Sequence, residues 1–320
     1  MPPPRDTTKV TLPGRVVETA GRRIVVRDET GDRFCFLGGH RAVVGDVVRW
    51  TEAPGEGGKI VTVEDRRSAL FRLDPRGEEQ LLAANLGGLI VCAAPKDPPF
   101  LASLIDRYVV AAATAGIEAA IVLTKSDLEA PPEVEEDLAI RAALGIPVLR
   151  TSIRTGAGLD ELRAFLAEHN VGPWALVGHS GTGKTSLIGA ILPDFDVGPI
   201  GAISDYWGTG RHTTTRTCLF SLPQGGEIVD SPGIRGFIPA LLDPIRIRDT
   251  FPGIAQIQCQ YRDCLHRPDE EGCEAGGQVA ASLLESYRRL VQDALDITRR
   301  RGPAPSRPRS GGGPGGHRGR

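Results

Sequence analysis

The chain has 320 residues, 40% hydrophobic and 24% charged, an ordinary composition for a globular protein of two or three domains. No apolar run approaches the roughly 18 residues of a membrane span, and Met1-Pro2-Pro3-Pro4-Arg5 is not followed by the apolar core of a secretory leader, so a cytoplasmic protein with no membrane partner is expected. The net charge of −2 hides an asymmetry: residues 299–320 hold seven Arg and no acid, which leaves 31 basic and 40 acidic residues, net −9, for the rest.

Residues 10–66 read as short strands, roughly 14–19, 22–28, 32–37, 43–50 and 59–64, with turn residues between them. Five short strands in under sixty residues fit a small barrel of the OB type. Such a surface binds oligonucleotides in some proteins and is purely structural in others. From about residue 80 the pattern changes to apolar strands at 89–93, 119–123, 147–149 and 174–177, alternating with helices at 101–115, 138–144, 160–169 and 186–192. That alternation predicts a parallel sheet covered on both faces, with ligands at the carboxyl ends of its strands. A last helix, about 277–300, carries Val279, Leu283, Tyr287, Leu290, Val291 and Leu295 on one side. The Arg-, Gly- and Pro-rich end beyond it cannot bury a core and reads as a disordered tail, suited to RNA phosphates or merely solubilising.

Three motifs sit at the strand ends. Gly178-His179-Ser180-Gly181-Thr182-Gly183-Lys184-Thr185, followed by Ser186, matches a phosphate-binding loop in full between a strand and a helix. Its backbone N–H groups converge on phosphates, Lys184 supplies charge to the β- and γ-phosphates, and the Thr185 hydroxyl is offered to Mg²⁺. Asp230-Ser231-Pro232-Gly233, after the apolar Glu227-Ile228-Val229, places an acid where it can hold Mg²⁺ and Gly233 where its N–H can meet a γ-phosphate. Thr124-Lys125-Ser126-Asp127 resembles a guanine reader. The Asp127 carboxylate accepts from guanine N1–H and N2–H₂, a donor pair adenine lacks, while Lys125 lies along the ring. Thr151-Ser152-Ile153 is placed to offer a backbone N–H to guanine O6. In a common GTPase the phosphate loop comes first, then the metal motif and the base reader; here the base reader leads, as a circular permutation requires.

Between the phosphate loop and Asp230, the run Gly210-Arg211-His212-Thr213-Thr214-Thr215 is the candidate first switch. Thr214 is favoured to complete the Mg²⁺ shell, and spacing leaves Thr213 open. Ile234 stands where many GTPases hold a water-orienting Gln. His212 is therefore the candidate to orient or deprotonate the attacking water, or else a residue that only shapes the loop. Cys259-x₄-Cys264-x-His266-x₆-Cys273 supplies three thiolates and an imidazole, a closed tetrahedral set expected to hold one structural Zn²⁺. Cys35, Cys92 and Cys218 lie in apolar stretches and are expected to be reduced core residues.

Together these features resemble the circularly permuted GTPases known as ribosome small-subunit-dependent GTPase A, the RsgA/YjeQ family. The likeness covers about residues 10–300 and includes the 210–215 run. Thr124 departs from the family's usual Asn, and Glu271-Gly272-Cys273 from its usual Pro-Gly-Cys. The resemblance implies a GTP hydrolase that docks on the small ribosomal subunit and its rRNA, assists late maturation, is stimulated by the subunit and leaves on hydrolysis. It also supports His212 as catalytic and Thr214 as a switch residue. The expected division is an OB-fold RNA-binding domain at 1–70, a permuted GTPase domain at 71–242, a helical zinc domain at 243–300 and an Arg/Gly-rich tail at 301–320, acting as a monomer. A GTP-dependent switch with a non-ribosomal partner, or a non-catalytic RNA-binding module, are the alternatives.

Overall fold

The computed structural model describes residues 10–21, 23–53, 57–74, 78–192, 216–230 and 243–301. The first strands, β1 (Leu12–Ala20), β2 (Arg23–Asp28), β3 (Gly31–Phe36), β4 (Val47–Glu52) and β5 (Gly58–Val63), run in the order β1-β2-β3-β5-β4. The barrel closes where β4 pairs back on β1, and β3 and β5 are parallel. This is the expected OB-type barrel. Its inside is filled by Val16, Ile24, Val26, Val48, Trp50 and Ile60, each at most 1% exposed, and each such side chain stabilises the fold by about 1.5–3 kcal/mol on burial. The fourth strand begins later than the 43–50 expected. Gly45 turns the chain at φ +94°, and the buried Asp46 carboxylate accepts from Val43 N–H at 2.8 Å and from Arg66 Nε at 2.7 Å. Val43 and Val44 thus belong to a turn despite their strand-forming side chains.

A hairpin absent from the sequence reading follows: β6 (Ala69–Leu73) pairs with β7 (Glu79–Ala84). The boundary expected at residue 70 falls inside β6, so the barrel ends with β5.

Strands β8 (Gly88–Ala93), β9 (Glu118–Leu123), β10 (Val148–Arg150), β11 (Trp174–Val177) and β13 (Glu227–Asp230) form the parallel sheet, in the order β10-β9-β8-β11-β13. Alternate residues of β8 divide between its faces. Leu89 and Val91 pack under α1 (Ala102–Thr114) and α2 (Pro132–Ala143). Ile90 and Cys92 pack under α3 (Leu159–Glu168) and α4 (Lys184–Ile191). Helix α2 starts six residues before the expected 138, because Pro132 stands in its first turn, where a missing N–H costs nothing. One strand breaks the all-parallel expectation: β12 (Arg216–Ser221) is antiparallel to β13 through a tight turn at Gly225-Gly226.

β12 also pairs antiparallel with β1, Glu18 opposite Cys218 and Ala20 opposite Arg216. Ion pairs Arg15–Glu227 (2.7 Å) and Arg216–Glu18 flank this seam. Barrel and sheet are therefore one hydrogen-bonded ladder. On the opposite flank, α5 (Pro244–Thr250) and α6 (Ala281–Arg301) cover the outer side of α1, where Val110 and Ala111 meet Ile247, Phe251, Leu283, Tyr287, Leu290 and Val291. Arg107 of α1 pairs with Asp293 of α6. Arg141, 1% exposed, joins Asp106 of α1 at 2.8 Å. Among the described residues no helix is long and apolar enough to cross a membrane.

Candidate functional site

The carboxyl ends of β8, β9, β11 and β13 carry the loops the sequence singled out. After β11, the chain turns at Gly178 with φ +131°, where a Cβ would lie 2.2 Å from the Cys92 carbonyl oxygen, so only glycine fits. The loop then enters α4 through Gly183, which no side chain caps. The first N–H groups of that helix are left for an anion. Lys184 is 6% exposed and donates from Nζ to the carbonyls of Gly178 (2.8 Å) and His179 (2.6 Å), inside its own loop. Thr182, 2% exposed, donates from its hydroxyl to His179 O at 2.9 Å. Ser180, Gly181, Gly183, Lys184, Thr185 and Ser186 line a cavity of about 540 Å³, and Lys125 closes it from the neighbouring loop. That volume suits a small-molecule ligand.

The inverted motifs meet through one side chain. Thr124 ends β9, is 2% exposed, and places its hydroxyl between the carbonyls of Ala93 (2.9 Å) and Thr182 (2.7 Å), able to donate to either. The base-reader motif is thereby fastened onto the phosphate loop. Lys125 follows with φ +52°, an uncommon conformation for a residue with a side chain, and its ammonium donates to the Asp97 carbonyl. Asp127 is held from both sides: its Oδ1 accepts from the hydroxyl of Ser152, 0% exposed, and its Oδ2 from Arg154 Nε at 2.7 Å. The Ser152 hydrogen bond, opposed by desolvation and reinforced by Arg154, keeps the Asp127 carboxyl below the ordinary carboxylate range. Ser152 therefore acts on Asp127 through its side chain, while its own N–H is committed to the Ala157 carbonyl at 2.9 Å.

Asp230 closes β13 and is 6% exposed. The pairing of Val229 with Ala175 sets it beside β11 just before the phosphate loop. Lys184, Thr185 and Asp230 thus share one end of the sheet. His212, Thr213, Thr214 and Gly233 lie outside the described residues. Three contributors were absent from the sequence reading. Tyr108 of α1, in hydrogen-bond contact with the Gly178 backbone, is pushed by burial up to about 12. The Asp97 carbonyl anchors Lys125, and Pro98 lies against Gly181, 3.5 Å from where a Cβ would stand. The 95–100 loop leaves the carboxyl end of a central strand, a position that marks it in principle.

Cys259, Cys264, His266 and Cys273 converge, with their ligand atoms within 4.8 Å of one another. His266 Nδ1 lies 3.3, 3.6 and 3.7 Å from the three sulfurs. A tetrahedral ion with metal–sulfur bonds of about 2.3 Å and a metal–nitrogen bond of about 2.0–2.1 Å would separate such atoms by about 3.6 Å, so the set fits a metal. Backbone N–H groups of His266 and Glu274 donate to Cys264 and Cys259 sulfurs, each at 3.3 Å. Burial lowers the His266 imidazole, which favours the neutral ligand form, and raises the Cys264 thiol. Helix α6 holds the loop, with Tyr287 Oη donating to Leu265 O (2.8 Å) and Arg288 Nε to His266 O (2.7 Å). Cys35, Cys92 and Cys218 are buried and form no disulfide, as expected.

A profile of the family described as RsgA GTPase matches residues 63–238. A relative from Azotobacter vinelandii, named small ribosomal subunit biogenesis GTPase RsgA, is 38% identical over 298 residues, covering 87% of this chain and 84% of its own. The chain belongs to the RsgA GTPase family. A second RsgA, from Chromohalobacter salexigens, is 38% identical over 87% of this chain and 85% of its own. The crystal structure of YjeQ from Thermotoga maritima matches with a TM-score of 0.70 at 27% identity, over 89% of this chain and 99% of that one. The structure of YloQ, titled a circularly permuted GTPase, shares the fold with a TM-score of 0.66 at 20% identity, over 90% of this chain and 96% of that one. In the RsgA fold seen here, the permuted order costs nothing in geometry, because β8, β9, β11 and β13 still deliver their loops to one edge.

Two expectations follow. Thr124→Val removes the hydroxyl donor and should weaken binding of a fluorescent GDP about five- to tenfold, the scale of one lost buried hydrogen bond. Thr124→Asn, with two amide hydrogens for the same two carbonyls, should bind at least as well as the parent; equal affinity for all three would show that the link is idle. Separately, the purified protein should contain equimolar metal by elemental analysis, and Cys264→Ser should lose most of it. Chelation should lower the thermal midpoint of the parent but not of that variant.

Proposed function

We propose that this protein is a GTPase of small ribosomal subunit biogenesis, which binds the subunit, assists its late maturation, is stimulated by it and is released on hydrolysis. The observation that carries the reading is the hydrogen bond from Thr124 to the phosphate loop, which ties a guanine reader to a triphosphate cradle in a chain of the RsgA family. In this reading Lys184, with the backbone of Gly178, Ser180, Gly181, Thr182, Gly183 and Ser186, holds the phosphates. Thr185 and Asp230 hold Mg²⁺, which would neutralise charge developing on the phosphates when bound. Asp127 reads guanine, Lys125 lies along the base, and Thr124 and Ser152 position them. His212 orients the attacking water, and Thr214, with Thr213 as its competitor for Mg²⁺, and Gly233 sense the γ-phosphate. The Cys₃His set takes Zn²⁺, whose preference for closed sulfur and nitrogen shells it matches, and serves structure alone.

The barrel, ending with β5, is proposed as an rRNA-facing surface, β6 to 242 as the GTPase and 243–300 as the zinc module, all acting as a cytoplasmic monomer. Phe34 and Phe36 support the RNA reading. They are 57% and 67% exposed on one face of β3, with the Arg23 guanidinium 5.2 Å from the Phe34 ring and Lys59 paired with Phe36 on β5. Exposed aromatics flanked by cations form a stacking platform for unpaired bases. The Arg-rich tail at 301–320 would add phosphate contacts.

Hydrolysis of GTP and of ATP, each measured with and without purified small subunits, tests the proposal. GTP turnover should be slow alone, rise at least about tenfold with subunits and vanish in Lys184→Ala, while ATP is ignored. Turnover indifferent to subunits would favour a switch with a different partner. Turnover that survives Lys184→Ala would remove the phosphate loop from the chemistry.

A further inference from the structure

The Asp127 carboxylate is engaged by a side chain of the protein itself. Arg154 reaches it with both Nε and an outer guanidinium nitrogen, each 2.7 Å from Oδ2. Two N–H groups on one rigid planar cation are also what guanine presents through its N1–H and N2–H₂ edge. The two partners of Asp127 are not alike. Ser152 is wholly buried and grips Oδ1 from within. Arg154 has 71% of its side chain exposed, yet the Asp127 side chain beneath it is only 10% exposed. The guanidinium therefore forms the outer cover of the carboxylate, on a side chain that solvent can readily take back.

We propose that Arg154 caps Asp127, its guanidinium competing with the guanine edge for the same carboxylate, and that it is displaced as guanine binds. The proposal rests on the reading of Asp127 as the base reader. The cap, with Ser152 on the other oxygen, keeps the carboxylate hydrogen-bonded and oriented. It also makes every incoming base compete with an internal ligand for the same acceptor. Guanine supplies a donor pair that replaces the guanidinium and adenine does not, but both must displace it, so Arg154 lowers the apparent affinity of both bases alike and the discrimination stays with Asp127. The cost is small, because an exposed ion pair is weakened by solvent and salt. Arginine suits this role better than lysine, whose single ammonium cannot imitate a planar two-donor edge.

Stopped-flow binding of fluorescent GDP to the full chain tests this, with the parent, Arg154→Ala and Arg154→Lys at about 50 and about 500 mM NaCl. Arg154→Ala should speed association about two- to fivefold and leave dissociation unchanged, with Arg154→Lys between it and the parent. The ratio of variant to parent should shrink toward one at high salt, where screening already loosens an exposed ion pair. The preference for GDP over ADP should be the same in Arg154→Ala as in the parent, because both nucleotides displace the same cap. Association no faster in Arg154→Ala, or faster dissociation showing that Arg154 grips the bound nucleotide, would overturn the cap. Asp127→Asn separates the two levels. If it loses GDP affinity while Arg154→Ala changes nothing, the cap alone fails. If it leaves GDP affinity untouched, the base reading fails and the cap with it.

Discussion

One hydrogen bond makes the rest of the architecture intelligible. The Thr124 hydroxyl meets the Thr182 carbonyl at 2.7 Å across 58 residues of sequence. Without it, a base reader at the end of β9 and a phosphate loop at the end of β11 would be two loops on neighbouring ridges, with β8 between them. Thr124 spans that gap by touching both, since its other partner is Ala93 at the end of β8. The constraint is spatial and does not care which motif comes first along the chain. A parallel sheet sets its strand ends side by side whatever the order of connection, so cutting and rejoining the chain leaves the pocket intact while moving the termini.

Where the termini go then matters. The barrel grows out of the edge strand β12 through the β1 ladder, and the metal module lies on α1. Helix α1 is sandwiched: Ile105, Tyr108 and Val109 face the sheet, while Val110 and Ala111 face α5 and α6. Tyr108 reaches the first glycine of the phosphate loop, and Arg107, the preceding residue, reaches Asp293 in the last helix. One rigid helix is thus in contact with both the phosphate loop and the module that carries the Cys₃His cluster. The α6 side chains Tyr287 and Arg288 in turn hold the carbonyls of the metal loop. These contacts form a continuous packed route between the two sites.

Much of this was legible in the sequence, for reasons that can be named. The phosphate loop is constrained by close backbone approach, so its glycines and Lys184 are fixed in type and spacing. The four residues of the Cys₃His cluster lie within fifteen residues, so local spacing suffices. Other features were hidden. Val43-Val44 has strand-forming side chains, and only the buried Asp46–Arg66 pair shows why a turn wins there. The helix expected from 138 starts at Pro132, whose ring suits a first turn that has no apolar periodicity to mark it. The short β6 and β7 alternate too weakly to stand out as strands, and the antiparallel β12 depends on pairing with a barrel strand almost two hundred residues earlier. Arg154 on Asp127 and Lys125 on Asp97 are tertiary contacts between exposed polar groups, which leave no periodic or compositional trace.

The central claim is that Asp127 and Lys184 serve a single nucleotide. It is tested most directly by exchanging the hydrogen-bonding sense of the base reader. Asp127→Asn turns an acceptor pair into a donor and an acceptor, which suits xanthine, whose C2 carbonyl replaces the amino group of guanine. Equilibrium titration of the parent and the variant with GDP and XDP should show the preference reversed, GDP tighter for the parent and XDP tighter for the variant, with both affinities lost when Lys184→Ala is added. Unchanged preference in Asp127→Asn would mean that the base lies elsewhere and that the two motifs do not form one site.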